Sequence, residues 1–296
     1  MSGQLKEVRE RISSVKSTQQ ITKAMKMVSA AKLRKAQQAI TEMRPYADRL
    51  NNMLVNILSN IDGDTSSSFG VEREVNSVAI AIVTSNKGLC GAFNANITKE
   101  AIKLIEDKYA TQAKNGNLTV LGIGKKGYEI LTKKYPNLKF NGEYVGMFSD
   151  LTFDNISTAS QHLMDGFLDG TFDKVDVCYG QFKNAALQIP HAAPFLPVPK
   201  MEKLNESKTK ADYIFEPSKE ALLEQLVPTI LKTTFQKFVL DTHASEHGAR
   251  MTAMDSATEN AEDLLKDLKI SYNKARQEAI TKELSEIVGG AAALGG

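Results

Sequence analysis

The sequence predicts an α/β fold joined to a coiled coil: long antiparallel N- and C-terminal helices form a shaft, and a Rossmann-like domain with a mostly parallel sheet is inserted between them. Three observations carry this. Residues from about Ser218 to Val288 read as one helix of about 70 residues, which at ~1.5 Å per residue is roughly 105 Å long. Gly3 to about Asn60 reads as a second long helix whose only proline is Pro45. Between them, β-branched apolar runs alternate with amphipathic stretches, the pattern of a parallel sheet covered by helices. The boundaries predicted are residues 1–61 for the N-terminal shaft helix and 75–199 for the α/β domain. A linker over 200–217 and the C-terminal shaft helix with its apolar tip over 218–290 complete the chain.

Each element has its own justification. In the first helix Leu5, Val8, Ile12 and Val15 step by three and four, the spacing of a buried stripe. The rhythm slips before Ile21 and resumes with Met25, Val28 and Leu33, a slip that predicts a local change of supercoiling. Asp62-Gly63-Asp64 and the serines after it read as a loop. Ser77 to Thr84 is a near-continuous apolar run, as for a strand buried on both faces. A glycine-containing turn over Ser85 to Gly91 follows, then a helix from Ile97 to Ala113, a strand from Leu118 to Ile123 and a short helix from Tyr128 to Lys133. Leu138 to Tyr144 reads as a third strand, Ile156 to Leu168 as a helix, Lys174 to Tyr179 as a strand and Ala186 to Ile189 as another. Pro190, Pro194, Pro197 and Pro199 end the domain, and Pro217 with Ser218 starts the last helix. That helix carries a seam of small and apolar residues at Met254, Ala257, Ala261, Leu264, Leu268, Tyr272, Ala275 and Ala279.

The helix lengths differ, so the C-terminal helix outruns its partner by about ten to fifteen residues, or ~15–20 Å. The overhang holds Ile280, Leu284, Ile287, Val288 and Leu294, an apolar tip that is a liability in water and makes sense inside another protein. Charge is distributed rather than net. The total is only +2, but Lys16, Lys23, Lys26, Lys32 and Arg34 lie between Arg11 and Lys35 without an acidic residue, while Asp255, Glu259, Glu262, Asp263 and Asp267 mark the other helix. The two helices should attract each other as well as pack. Two cysteines far apart, Cys90 and Cys178, fit a reducing compartment and no metal spacing. No apolar run reaches the ~20 residues needed to cross a bilayer, and the N-terminus lacks the apolar core of a signal peptide.

Four motifs invite an enzymatic or nucleic-acid reading. Gly122-Ile123-Gly124-Lys125-Lys126-Gly127 satisfies G-x-G-x-x-G between a strand and a helix, with Glu143 at a distance suited to a ribose. It follows the second strand rather than the first, and a tight turn needs glycines without a ligand. His243-Ala244-Ser245-Glu246-His247 fits H-x-x-E-H, with two histidines on one helix face. The helix continues past it and carries later carboxylates away, so a polar face explains it equally. Cys90 in Lys87-Gly88-Leu89-Cys90-Gly91 reads as a nucleophile at a helix start or as a small residue packed in a turn. The basic run of the first helix suits nucleic acid by charge, but has no interleaved aromatics. No phosphate loop of the G-x-x-x-x-G-K-[ST] type occurs.

Ile-Thr-Lys-Ala-Met-Lys-Met-Val at 21–28, Arg44-Pro45-Tyr46-Ala47 and Lys87 to Gly91 resemble motifs of the gamma subunit of the F-type, rotary ATP synthase. So do Tyr272 to Gln277 and Ile280 to Ala292 near the end of the chain. The resemblance covers the whole length. It implies a non-catalytic central-stalk rotor without cofactor or metal, which transmits rotation between a membrane c-ring and a catalytic hexamer of alpha and beta subunits and so couples proton transport to ATP synthesis or hydrolysis. It implies shaft contacts to those subunits at Met25, Lys26, Arg276, Gln277 and Thr281, a bearing at the apolar tip, and contacts of the α/β domain to the c-ring and the epsilon subunit at Tyr213 and Glu216. No nucleic acid is implied. Membrane contact would run only through partners, at the cytoplasmic face of a bacterial plasma membrane. The regulatory cysteine pair of chloroplast members is absent, so thiol control of that kind is not expected. The competing reading is a nucleotide-binding α/β domain with coiled-coil arms.

Overall fold

A computed structural model describes residues 2–59, 68–198 and 219–294. Two helices dominate: α1 over Ser2–Ser59 and, at the end of the chain, α6 over Lys219–Leu294, whose 76 residues give a contour of about 114 Å. The chain forms two units, Met1–Ser29 with Met251–Gly296, and Ala30–Arg250.

In the first unit α1 and α6 pair antiparallel. Arg9 Nη2 donates to Tyr272 Oη at 2.9 Å, the hydroxyls of Thr22 and Thr258 meet at 2.8 Å, and Lys26 pairs with Asp255. Moving up α1 thus moves down α6. The attraction expected between the basic and acidic helices is realised at Lys26 and Asp255. Both side chains are nearly half exposed, so the pair contributes at most about 1 kcal/mol.

The burial corrects two details of the predicted seam. On α1 Leu5, Val8, Ile12, Val15, Gln19, Thr22, Lys26 and Ser29 are all covered, an unbroken alternation of threes and fours, with Met25 half-buried beside Lys26. No slip occurs. Polar residues hold the seam where the apolar rhythm fails, while Ile21 and Val28 point outward, 59% and 57% exposed. On α6 the seam runs through Leu265, not Leu264, because Ala261, Leu265, Leu268 and Tyr272 keep the same alternation.

The second unit holds a five-stranded sheet of order β3-β2-β1-β4-β5. β1 is Val78–Val83, β2 Leu118–Ile123, β3 Lys139–Asn141, β4 Lys174–Phe182 and β5 Gln188–Leu196. All neighbours are parallel except β4 and β5. β1 is central and fully buried on both faces, as its unbroken apolar run predicts. Ala79, Ala81 and Val83 face one core with α5 (Phe153–Leu168) and with Val227, Leu231, Phe235 and Phe238 of α6. Val78, Ile80 and Ile82 face the other, with α2 (Phe93–Lys108) and Leu131 of α4 (Lys125–Lys134).

Three elements depart from expectation. The helix predicted to Ala113 stops at Lys108, and a separate turn of helix, α3 over Ala110–Lys114, follows Tyr109. Tyr109 is buried and donates to the Asp176 carboxylate of β4, a tie that fixes the break. β3 is three residues rather than seven. Pro190 and Pro194 do not end the domain but lie inside β5, opposite Gly180 and Asp176. Proline has no N–H, and an edge strand tolerates it where that group would face away from its neighbour. The open edge of β5 therefore lacks two donors and resists pairing with another chain. Pro217, Ser218 and the linker over 200–217 lie outside the described residues.

Candidate functional site

In a doubly wound sheet, ligands bind beyond the carboxyl ends of the strands where the winding reverses. Here that point lies between β1 and β4. The crevice is filled by the chain's own α6. Gly180 sits beyond the end of β1, opposite a proline on β5, so its peptide groups face the crevice. Its N–H donates to Thr242 Oγ1 at 3.2 Å, and its carbonyl accepts from Ser245 Oγ at 3.0 Å. A polar helix face thereby occupies the ligand position.

One turn further on, Arg250 closes the β1 loop. Its Nη2 donates to the carbonyls of Lys87 and Gly88 at 3.0 and 3.2 Å, and its Nη1 to Glu246 at 2.6 Å. Both charged side chains are only 9% exposed. The loop they hold is strained: Leu89 has φ of 61°, in the left-handed region that costs a branched residue about 1 kcal/mol or more, and its side chain is exposed. Beneath it, Asn94 accepts from the Ser85 N–H at 3.0 Å and donates to Cys90 Sγ at 3.2 Å. Burial pushes the Cys90 thiol up, so it is a packed thiol and not a nucleophile.

The glycine motif is likewise accounted for by packing. Gly124 has φ of 85°, and a Cβ there would lie 1.7 Å from the Thr84 carbonyl oxygen. At Gly127 a Cβ would strike Thr84 and Ile82, and at Gly122 the Tyr128 ring. The spaces next to all three are taken by the chain itself. Glu143 lies exposed after the edge strand β3.

In the H-x-x-E-H segment Glu246 is consumed by Arg250, which removes the general base that the protease motif requires. Among the described residues no group of three or more His, Cys, Asp or Glu is placed to hold a metal. His243 and His247 contact each other instead, Nε2 to Nε2 at 3.1 Å.

The residues implied as shaft contacts fall into two sets. Met25 and Lys26 are half-buried on α1, and Lys26 is engaged by Asp255. Arg276, Gln277, Ile280, Thr281, Leu284, Ile287 and Val288 are exposed. At ~100° per residue they fall on one face of α6, turned away from the seam at Tyr272, Ala275 and Ala279. Of these, Ile280, Leu284, Ile287 and Val288 are 49–68% exposed, unusual for branched apolar side chains that follow one another on a helix. Leu294 closes α6, but its side chain lies outside the described residues, as do Tyr213 and Glu216. Sequence reasoning missed the Arg250 clamp and the Thr242–Ser245 plug. The Glu246–Arg250 spacing of four was a visible signal for the clamp; nothing in the sequence marks the plug.

A doubly wound domain whose ligand crevice is occupied by its own helix, in a chain that also holds a long antiparallel helix pair, leaves no room at that crevice for a dinucleotide. Comparison with known proteins gives the family. The family described as ATP synthase matches residues 4–294. The ATP synthase gamma chain of Cytophaga hutchinsonii is 52% identical over 292 residues, 98% of each chain, and that of Flavobacterium johnsoniae 51% identical over 99% of each. Among solved structures, a chain of the Euglena gracilis mitochondrial ATP synthase (OSCP/F1/c-ring, rotational state 3) superposes with a TM-score of 0.66 at 23% identity, over 99% of this chain and 95% of that one. The chain belongs to the ATP synthase gamma family. Both of these bacterial relatives are named as ATP synthase gamma chains. Among the described residues no helix is long and apolar enough to cross a membrane.

Proposed function

We propose that this chain carries rotation between a membrane c-ring and a catalytic hexamer of alpha and beta subunits, using one exposed face of α6 as its contact with the hexamer. The observation that carries this is the row Ile280, Leu284, Ile287 and Val288, apolar and exposed beside the polar Arg276, Gln277 and Thr281. An apolar surface slides against a sleeve because it makes no directional bond that traps one angle. Polar groups at one level of the same face make contacts that differ with angle, and differential contact is what coupling requires. Met25, Lys26 and the exposed cations Lys23, Lys32, Arg34 and Lys35 of α1 supply a second contact, with acidic loops of the beta subunit. In this reading residues 1–61 and 218–290 act as the shaft, 75–199 act as the foot beside the epsilon subunit and c-ring, 200–217 link them, and Tyr213 and Glu216 belong to the foot contact. The subunit then works at the cytoplasmic face of the bacterial plasma membrane and touches the bilayer only through partners. Loss of Gly289 to Gly296 removes bearing contacts and leaves part of the coupling.

The test is a tagged pull-down from native membranes followed by native mass spectrometry. One copy of this chain with an alternating hexamer of two large subunits is the expected composition. Recovery of the chain alone or as a homodimer would overturn the reading.

A further inference from the structure

We propose that His243 and His247 form a two-ligand site for a late first-row divalent metal ion, with water completing its coordination. The site lies on α6, one turn from the Arg250 clamp, and is separate from the contact face. The two histidines are four residues apart, so their rings rise from the same side of the helix. Their Nε2 atoms lie 3.1 Å apart, joined by a hydrogen bond from one ring to the other that a metal ion would replace, and the rings stand edge to face, 4.6 Å between centroids at 87°. With metal–nitrogen bonds of ~2.0–2.1 Å, that separation subtends about 98° at the metal, between octahedral and tetrahedral angles. No large movement is needed to close the chelate. Phe148 stacks on His243 at 6.0 Å and 25°, which restricts the ring that is the more exposed of the two. The ion enters from that side.

The surroundings decide which ligand state is present. Burial, then Lys32, Arg250 and Lys35, push His243 down to about 4; burial, then His243, Arg250 and Lys32, push His247 down to about 3. Both rings are neutral at pH 7, the form that binds metal without displacing a proton. Glu246 adds a negative charge, but it is bonded to Arg250. The nearby cations oppose a divalent ion and so limit its affinity. Arg250 Nη1 also lies 3.4 Å from His247 Nδ1, while its short bonds go to Glu246 and to the loop carbonyls. Arg250 can only donate, so His247 Nδ1 accepts and its ring proton sits on Nε2 here; a metal at Nε2 requires that proton to leave or to move to Nδ1, with the long Arg250 contact given up. Two neutral imidazoles suit copper, nickel and zinc, in the usual order of affinity with copper tightest.

The experiment is a Zn²⁺ titration of the full chain, purified without a histidine tag and followed by calorimetry. One equivalent should bind saturably. His243→Asn and His247→Asn should each weaken binding by at least about tenfold. The chain has only two other histidines, and His162→Asn with His191→Asn should leave binding unchanged. A measurement on the unmodified chain guards against misfolded variants: with ¹⁵N-labelled histidine, Zn²⁺ should shift two of four imidazoles. Absence of binding, equal binding by the His243 and His247 variants, or shifts confined to His162 and His191 would overturn the proposal.

Discussion

At the scale of single residues, Arg250 ties α6 to the β1 loop. It neutralises Glu246 and occupies two carbonyls of the β1 loop, all with little solvent access. Arg250→Ala leaves a buried carboxylate unpaired, and removal of one partner of such a pair costs about 3–5 kcal/mol. A denaturant melt should show that loss, and Glu246→Gln with Arg250→Met together should recover part of it. The buried titratable groups give stability a sign that depends on pH. The histidines are held below their ordinary value, so the unfolded chain binds protons first. Their contribution is intact above pH ~6.5 and is lost as pH falls toward about 4. Asp241 runs the other way. Burial raises it to about 6 against the pull of Lys237 and Arg44, so it costs stability at neutral pH and the cost fades as pH falls through 6. Melting curves from pH 7.5 to 4.5 should be flatter for a His243→Asn, His247→Asn double variant. Asp241→Asn should be more stable than the parent at pH 7, with the advantage shrinking below pH 6.

At the scale of elements, the seam makes the sharpest test. Leu265 is buried between the helices while its neighbour Leu264 is 39% exposed. Leu265→Ala should cost about 2–3 kcal/mol in a helix melt followed by circular dichroism, and Leu264→Ala under about 1 kcal/mol. Equal losses would contradict the register. The same seam shows what the sequence discloses and what it conceals. Its apolar steps are legible at Leu5 to Val15, where every covered residue is apolar. They become illegible at Gln19, Thr22 and Ser29, because a hydroxyl that finds a partner hydroxyl, as Thr22 finds Thr258, is as acceptable in a seam as a methyl group. Strand β1 was legible because burial on both faces leaves no polar position to interrupt the run. β5 was not, because its two prolines read as terminators unless the strand is known to be an edge. The glycine motif was seen but not its cause, since the Thr84 carbonyl that excludes a side chain at Gly124 comes from the loop just after β1, forty residues away in sequence. Gly124→Ala should therefore lower the melting temperature of the chain while leaving it, like the parent, without saturable NAD or ATP binding in a titration.

At the scale of the whole molecule, the fold class and the exposed apolar row on α6 were both legible, because length and periodicity are local properties of sequence. The closed crevice was not, because it joins Gly180 to Thr242 and Ser245 across 60 or more positions. That closure bears on function. The surface that an open Rossmann-like domain offers to a small molecule here anchors α6, the helix proposed to transmit torque. The central claim is rotation, and it is tested most directly by watching the chain turn. Cys90 and Cys178 are buried, so a cysteine placed at exposed Glu143 takes a probe selectively. The chain, assembled with its alpha and beta partners fixed to a surface, should drive the probe through unidirectional, ATP-dependent rotation. ATP hydrolysis by the same assembly with the probe attached and stationary would contradict the account.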